Sequence, residues 1–509
     1  FGFAMSVLRH FMIFLAAVSA WHASPAFAEK ELRMALISAP PSLGNPFGAI
    51  GPPSSFVWAA MFDPLVSPTD DGGLEPGLAL KWEVITPTRW RFHLRNGIRF
   101  SNGEPFTAEA VAVTLGWLAS DEGRRSVIGS EILALKGTEI VDDFTIDVLT
   151  TEPDAILPKR LTPVGIVAPK AWTELGPEGF AQNPAGTAAF KLESWTARGG
   201  RITLVANPNA WRKPIIDRIT FSLTSDPVAR VQSLMSGATD VGVMMGPENI
   251  GLFEGTSFQI FESPTPQVYA IAFNVEGRPN SIIADRRVRQ AINYAVNKSA
   301  ITDIIMNGRM RPAGQGATPS VFGYDPTIEP YPYDPERARS LLREAGVSTP
   351  VKLTADIVTN GLAGDATFLA LVQQDLANVG IEYEIYSLPF AEWLRKYVVN
   401  SFDTDMTGLS WNGAPYYDAI RAASYFSCLK PVPFFCDREM MPLFDAARGE
   451  FDVEARGAIL RELGHRMHDE APALFLYEVT DLSIVAPRVR NFRVRTRVPA
   501  YEEIDMTEK

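Results

Sequence analysis

Two hydrophobic periods alternate along this chain. Val351-Lys352-Leu353-Thr354-Ala355 and Ile381-Glu382-Tyr383-Glu384-Ile385-Tyr386 alternate apolar and polar side chains, the period of a half-buried strand. Ahead of each runs a helical stripe: Ala338, Leu341, Leu342 and Ala345, closed by Gly346, then Phe368, Val372, Leu376 and Val379, closed by Gly380. Asp334-Pro335-Glu336 opens the first helix with an N-cap, a proline at the first helical position and an acid at the positive end of the dipole. Helix, strand, helix and strand in that order predict an α/β lobe with crossover connections.

The first half of the chain reads differently. Trp90–Arg95 alternates, reaches the Asn96-Gly97 turn signal and is followed by Ile98-Arg99-Phe100, which predicts a hairpin pairing the two runs. Thr107 is placed to cap a helix carrying Val111, Leu115 and Leu118. Phe144–Leu149 is another alternating strand. No repeat and no low-complexity linker interrupts the patterning, so the lobes are expected to interweave.

The N-terminus stands outside this pattern. A short basic start at Met5–His10, an apolar run over Phe11–Ala20 and small residues in Ala26-Phe27-Ala28 predict a secretory signal peptide over 5–28, with cleavage after Ala28. The apolar run is too short for a permanent membrane span. About 480 residues would remain, too many for one core, so two large lobes are expected.

Composition narrows the function. The net charge of −12 gives no general attraction for nucleic acid, so no nucleic-acid partner is expected. The only two cysteines, Cys428 and Cys436, flank a proline-containing segment that cannot be a regular helix, and after export they meet an oxidising compartment. A local disulfide is expected there, contributing about 2–3 kcal/mol by the loop-entropy argument.

No catalytic set is visible. The chain has no G-x-S-x-G elbow, no phosphate-binding G-x-x-x-x-G-K-[ST] loop and no H-E-x-x-H. His465 and His468 lie three apart before a helix end, where the dipole favours histidines; two such ligands make half a metal site at most. Neither an enzyme, a metal site nor a cofactor is expected.

Several blocks together carry a resemblance. They are Phe62-Asp63-Pro64-Leu65-Val66, Gly73–Trp82, Trp90–Glu109 with its Asn96-Gly97 turn, Asn183-Pro184-Ala185-Gly186-Thr187, Asp285–Ala295 and Asp469–Tyr477. In this order the chain resembles the family 5 solute-binding proteins of ABC importers, the dipeptide, oligopeptide and nickel type. The resemblance implies a two-lobed α/β fold, periplasmic binding protein type II-like (cluster C), with an extra subdomain in the first lobe. Its expected parts are 29–61, 191–270 and 478–509 for the first-lobe core, 62–190 for the extra subdomain and 271–477 for the second lobe. The implied role is capture of a small molecule in the periplasm and delivery to membrane permease subunits, by a monomer with no chemistry of its own. A sensor module feeding a membrane receptor would use the same cleft, and a secreted enzyme on this scaffold is the alternative of another class.

The resemblance also locates the ligand. Ser410, Trp411, Asn412, Gly413, Ala414, Tyr416 and Tyr417 fall in the block that holds the peptide amine in peptide-binding relatives, where an Asp usually stands at the place of Ala414. An ammonium taken from water needs such a partner, and no acid lies between Asp405 and Asp418. The ligand is therefore expected to lack a free peptide amine: a sugar conjugate, an opine-like compound or a blocked peptide. A peptide held by a different amine anchor is the alternative. Trp411, Tyr416 and Tyr417 are candidates for stacking or for core packing, and Ser410 and Asn412 for neutral hydrogen bonds. Ser42 and Asn45, on the loop after the first strand, and Tyr269 and Asn274, on the strand that resembles the lobe crossing, complete the candidates.

Overall fold

The computed structural model describes residues 29–196, 200–358, 365–430 and 432–507. The expected signal peptide, 5–28, lies outside the described residues.

In chain order the principal strands are β1 (Glu31–Leu36), β2 (Ala79–Thr86), β3 (Arg89–Leu94), β4 (Leu135–Asp142), β5 (Thr145–Thr150), β6 (Phe190–Thr196), β7 (Arg201–Ala206), β8 (Arg218–Leu223), β9 (Val241–Gly242), β10 (Gln259–Phe273), β11 (Val351–Val358), β12 (Ile381–Leu388), β13 (Met406–Asn412) and β14 (Ala473–Val485). One sheet runs through both lobes in the order β12-β11-β13-β10-β14-β9-β1-β8-β7-β6, and the extra subdomain of the first lobe carries a separate antiparallel sheet, β2-β3-β5-β4.

The helix–strand–helix–strand reading holds. Asp334 accepts a hydrogen bond from Arg337 N (2.8 Å) at the start of the Pro335–Glu344 helix, and Gly346 and Gly380 have φ of 74° and 86°. β11 and β12 pair in parallel, which the intervening Asp365–Asn378 helix makes possible. The hairpin expected at Asn96-Gly97 does not form. β3 has β2 on one side and β5 on the other, so neither edge is left for Ile98–Phe100. That segment instead folds back on 104–106, with Phe106 N bonded to Ile98 O (2.9 Å) and Phe100 N to Glu104 O (2.9 Å). The Ala108–Ala119 helix buries Val111, Leu115 and Leu118, but the Thr107 side chain makes no capping hydrogen bond.

Two long strands join the lobes. β10 and β14 are antiparallel neighbours along most of their length. Their outer halves, Gln259–Pro264 against Thr480–Val485, belong to the first lobe, and their inner halves, Val268–Ala272 against Ala473–Glu478, to the second. Between Pro264 and Val268 the register slips. Thr265 is held there by its hydroxyl on Val479 O (2.8 Å), and Thr318 Oγ1 donates to Thr265 O (2.8 Å).

In the second lobe β10 alternates between two cores. Tyr269, Ile271 and Phe273 pack with the Arg286–Ala295 and Asp365–Asn378 helices, while Val268, Ala270 and Ala272 pack with Trp411, Phe426 and the Val453–Glu470 helix. The extra subdomain and the core of the first lobe share one continuous apolar cluster, running from Leu32 through Phe92 and Val111 to Tyr501. Cys428 and Cys436 are joined as a disulfide.

Candidate functional site

The loop after β1 is built on itself. Ser42 Oγ donates to Asn45 O (2.7 Å), and Asn45 Oδ1 accepts from Phe47 N (3.0 Å). Trp58 Nε1 donates to Leu43 O (2.7 Å), and Gly44 N to Ala181 O (3.0 Å). A Cβ at Gly44 would lie 2.6 Å from Pro184 Cγ, so this loop is pressed against its support. Ser42 and Asn45 are thus engaged in the turn, as short polar side chains in such loops commonly are.

β13 lies antiparallel to β10, with Ser410 opposite Tyr269 and Asn412 opposite Gln267. Trp411 points into the second-lobe core: it is buried, stacks on Phe426 with centroids 3.9 Å apart and meets Phe475 edge-on. Tyr269 is buried between Tyr477 and Phe368. Asn274 is fully buried and donates to Phe402 O and Thr404 O, securing the chain beyond the crossing strand. All three are packed within the second lobe.

The chain turns out of β13 toward the first lobe. Asn412 Oδ1 accepts from Ala414 N (2.9 Å), and Gly413 N donates to Pro266 O (2.8 Å), which ties the turn to the register slip in β10. Tyr417 then takes φ = 53°, a left-handed value rare for a bulky residue and a mark of sites where surroundings enforce strain. Its N–H bonds to Gly413 O and its carbonyl receives Phe322 N. Asp418 caps the Ala419–Ser424 helix and forms a two-pronged pair with Arg456 (2.7 and 2.9 Å). Burial opposes the charge on Asp418, yet Arg456 and Lys159 outweigh it and hold the carboxyl below its ordinary value.

A cavity of about 260 Å³ opens where this turn meets the first lobe. The second lobe contributes Ala414, Pro415 and Tyr417; the first lobe contributes segments around Pro46–Ala59, Phe62–Pro68, Thr162–Gly165 and Arg495–Glu502. Its wall is mainly apolar, and the buried charges at it are matched. Asp63, almost fully buried, accepts from Arg212 Nη2 (2.6 Å), Trp211 Nε1 (2.9 Å) and Thr187 Oγ1 (2.8 Å). Arg212 also pairs with Glu502 (3.1 Å), and Arg497 pairs with Asp481 (2.6 Å). Glu75 stands exposed at the rim. Neutral hydroxyls also stand at this wall. Ser55 Oγ is buried without a hydrogen-bond partner, and Tyr417 is buried beside the cavity. Burial keeps the Tyr417 phenol well above its ordinary pKa, so it stays a neutral donor.

The structure therefore brings Ala414 and Tyr417 to the cavity and sets Gly413 and Asn412 in the turn behind them. Tyr416 points elsewhere, with its hydroxyl on Glu131. The sequence reading missed Ser55, Arg497 and the Asp63–Arg212 pair. Asp63 sat within a quoted family block, but nothing local links it to Arg212. The two histidines of the Val453–Glu470 helix go to separate partners, His465 to Asp325 (3.1 Å) and His468 to Gly314 O (2.8 Å).

Comparisons with known proteins agree with this architecture. The family model described as bacterial extracellular solute-binding proteins, family 5 Middle, matches residues 73–430. The chain is 28% identical over 452 residues to the dipeptide-binding protein of Escherichia coli K12, covering 82% of this chain and 83% of that relative. It is 26% identical over 493 residues to the nickel-binding periplasmic protein of the same organism, covering 89% and 90%. Among solved structures, the binding protein AgaA from A. tumefaciens R10 in complex with agropinic acid superposes with a TM-score of 0.76 at 23% identity, over 94% of this chain and 99% of that one. The substrate-binding protein CtaP of Listeria monocytogenes gives 0.83 at 18% identity, over 94% and 100%.

Proposed function

Since this chain belongs to the family 5 bacterial extracellular solute-binding proteins and serves as the solute-binding component of an ABC importer, we propose that the solute it captures lacks a free peptide amine. The observation that carries this reading is the charge inventory of the cavity. Ala414 supplies a methyl group at its wall. Asp63 and Glu502 are already engaged by first-lobe donors, and Glu75 is exposed at the rim. An ammonium drawn into the interior of this space would meet no unpaired buried carboxylate, since the unpaired acid of the wall, Glu75, is exposed to water, and burying such a charge unpaired is costly.

The neutral groups fit a different cargo. Ser55 Oγ and the Tyr417 hydroxyl offer uncharged hydrogen bonds within an apolar wall, the usual composition of a pocket for a small polar molecule. A sugar conjugate, an opine-like compound or a blocked peptide meets these terms. That AgaA was solved with agropinic acid makes an opine a reasonable first probe. The second reading is a di- or oligopeptide held by another anchor, favoured by the names of several relatives, which are dipeptide- or di/tripeptide-binding proteins. Ligand would be held between the lobes, with β10 and β14 as the pivot, and released to the permease as they part.

Native mass spectrometry of freshly purified protein, followed by release and identification of any retained compound, tests this directly. The expected compound has no free α-amine. Recovery of ordinary di- or tripeptides would overturn the proposal on ligand class while leaving the carrier role intact. In thermal-shift assays, agropinic acid or N-acetyl-dialanine amide should raise the unfolding temperature more than dialanine. Ala414→Asp should reverse that order.

A further inference from the structure

Beside the cavity, the extra subdomain and the second lobe meet through a set of charged side chains that do not themselves line it. Glu131 ends a short turn in the subdomain, and Arg421 lies on the Ala419–Ser424 helix of the second lobe. Arg421 grips the Glu131 carboxylate with Nη2 (2.5 Å) and Nε (3.2 Å), while Tyr416 donates its hydroxyl to Glu131 O (2.9 Å) and to the carboxylate. Arg160 lies over the Tyr416 ring at 5.1 Å and is itself paired with Asp154 (2.8 Å). The neighbouring Lys159 reaches Asp418 (3.3 Å) and covers the Phe322 ring at 4.5 Å. Thr162 Oγ1 donates to Pro415 O (3.0 Å), and Ala155 N to Arg448 O (3.0 Å).

These contacts share three properties. Apart from the Arg160–Asp154 pair, each joins a residue between 131 and 162 to one between 322 and 448, so each of these spans the two lobes. Their charged members are largely withdrawn from water: side-chain exposure is 14% for Glu131, 12% for Arg421 and 12% for Lys159. They also match in sign and geometry. Burial alone would raise Glu131, and Arg421 outweighs it, holding the carboxyl below its ordinary value. Stripping water from so many charges is tolerable only where every one finds its partner. An approach of the lobes at another angle would bury some of them unmatched.

We infer that Glu131–Arg421 and Lys159–Asp418 form a closure latch: they fix the angle at which the lobes meet and hold them together, independently of what occupies the cavity. Because none of these four side chains lines the cavity, the latch holds whichever ligand class proves correct.

The test is small-angle X-ray scattering of the purified full chain, dialysed free of small molecules and fitted to closed and open forms. Circular dichroism checks folding in parallel. Glu131→Ala strands Arg421, and Lys159→Met removes the second contact without touching the Asp418–Arg456 pair. Each is expected to lower the closed-to-open ratio by at least about tenfold, since breaking one partner of a buried pair leaves the other uncompensated. With Arg421→Ala measured as well, the double replacement Glu131→Ala with Arg421→Ala should fall less than the losses of those two single variants multiplied together, the signature of direct coupling. A closed fraction unchanged in folded Glu131→Ala and in Lys159→Met overturns the latch. So does strict multiplicativity in the double variant. Should Glu131→Ala fail to fold, Lys159→Met decides alone.

Discussion

The two lobes touch in two ways, and the contrast is instructive. At the crossing strands, β10 and β14, they are joined by the continuous backbone, whose halves are buried in the core of each lobe, Val485 in the first and Ile271 and Phe475 in the second. At the subdomain face they are joined by Glu131, Lys159, Arg160, Asp418 and Arg421. The first junction cannot open without exposing apolar surface and breaking a ladder. The second can, because each charged group it releases is taken up by water. Permanent attachment is built from apolar packing and reversible attachment from paired charges, with the slip at Pro264–Val268 between them as the place to bend.

Three measurements press on that contrast. The largest effect belongs to the crossing strands. Ile271→Ala should cost about 2–5 kcal/mol of global stability, read as a lower denaturation midpoint. A loss under about 1 kcal/mol would mean the strand is less essential than its burial implies. The second is acid. Glu131 has a depressed folded-state pKa, so its pairing contributes above the ordinary carboxylate value and is lost as pH falls through the depressed one. Scattering should report an unchanged closed fraction from about pH 8 to pH 5 and opening only below about pH 4. Opening already near pH 6 would assign closure to another group. The smallest effect is salt. Raising sodium chloride from about 0.1 to 1 M shortens the screening length from roughly 10 to 3 Å, yet partly buried pairs feel little of it. The closed-to-open ratio should change less than about threefold; a tenfold fall would place the latch in solvent rather than between the lobes.

Reading the chain alone reached much of the fold and little of the site. The helices capped by Asp334 and closed by Gly346 and Gly380 were legible because their signals are local. The Asn96-Gly97 hairpin was a false signal: turn chemistry proposes a partner, but β2 and β5 had already taken both edges of β3. Among the site candidates, Ala414 was legible through resemblance, and it does line the cavity. Trp411 read more as a stacking surface than as core and Tyr416 as either, and only the Phe426 ring and the Glu131 contact assign them to packing and to the lobe boundary.

What the sequence determined by itself was the identity of the elements and the class of protein, because alternation, caps and clustered motifs depend on residues a few positions apart. What tertiary structure decided was pairing. Asp63 meets Arg212 from 149 positions away and Glu131 meets Arg421 from 290, distances over which no periodicity carries information. A charge reads the same in sequence whether it ends solvated, matched at a cavity wall or clasped between lobes. Its role is set by the dielectric and the partner it finds there, and those exist only once the chain has folded.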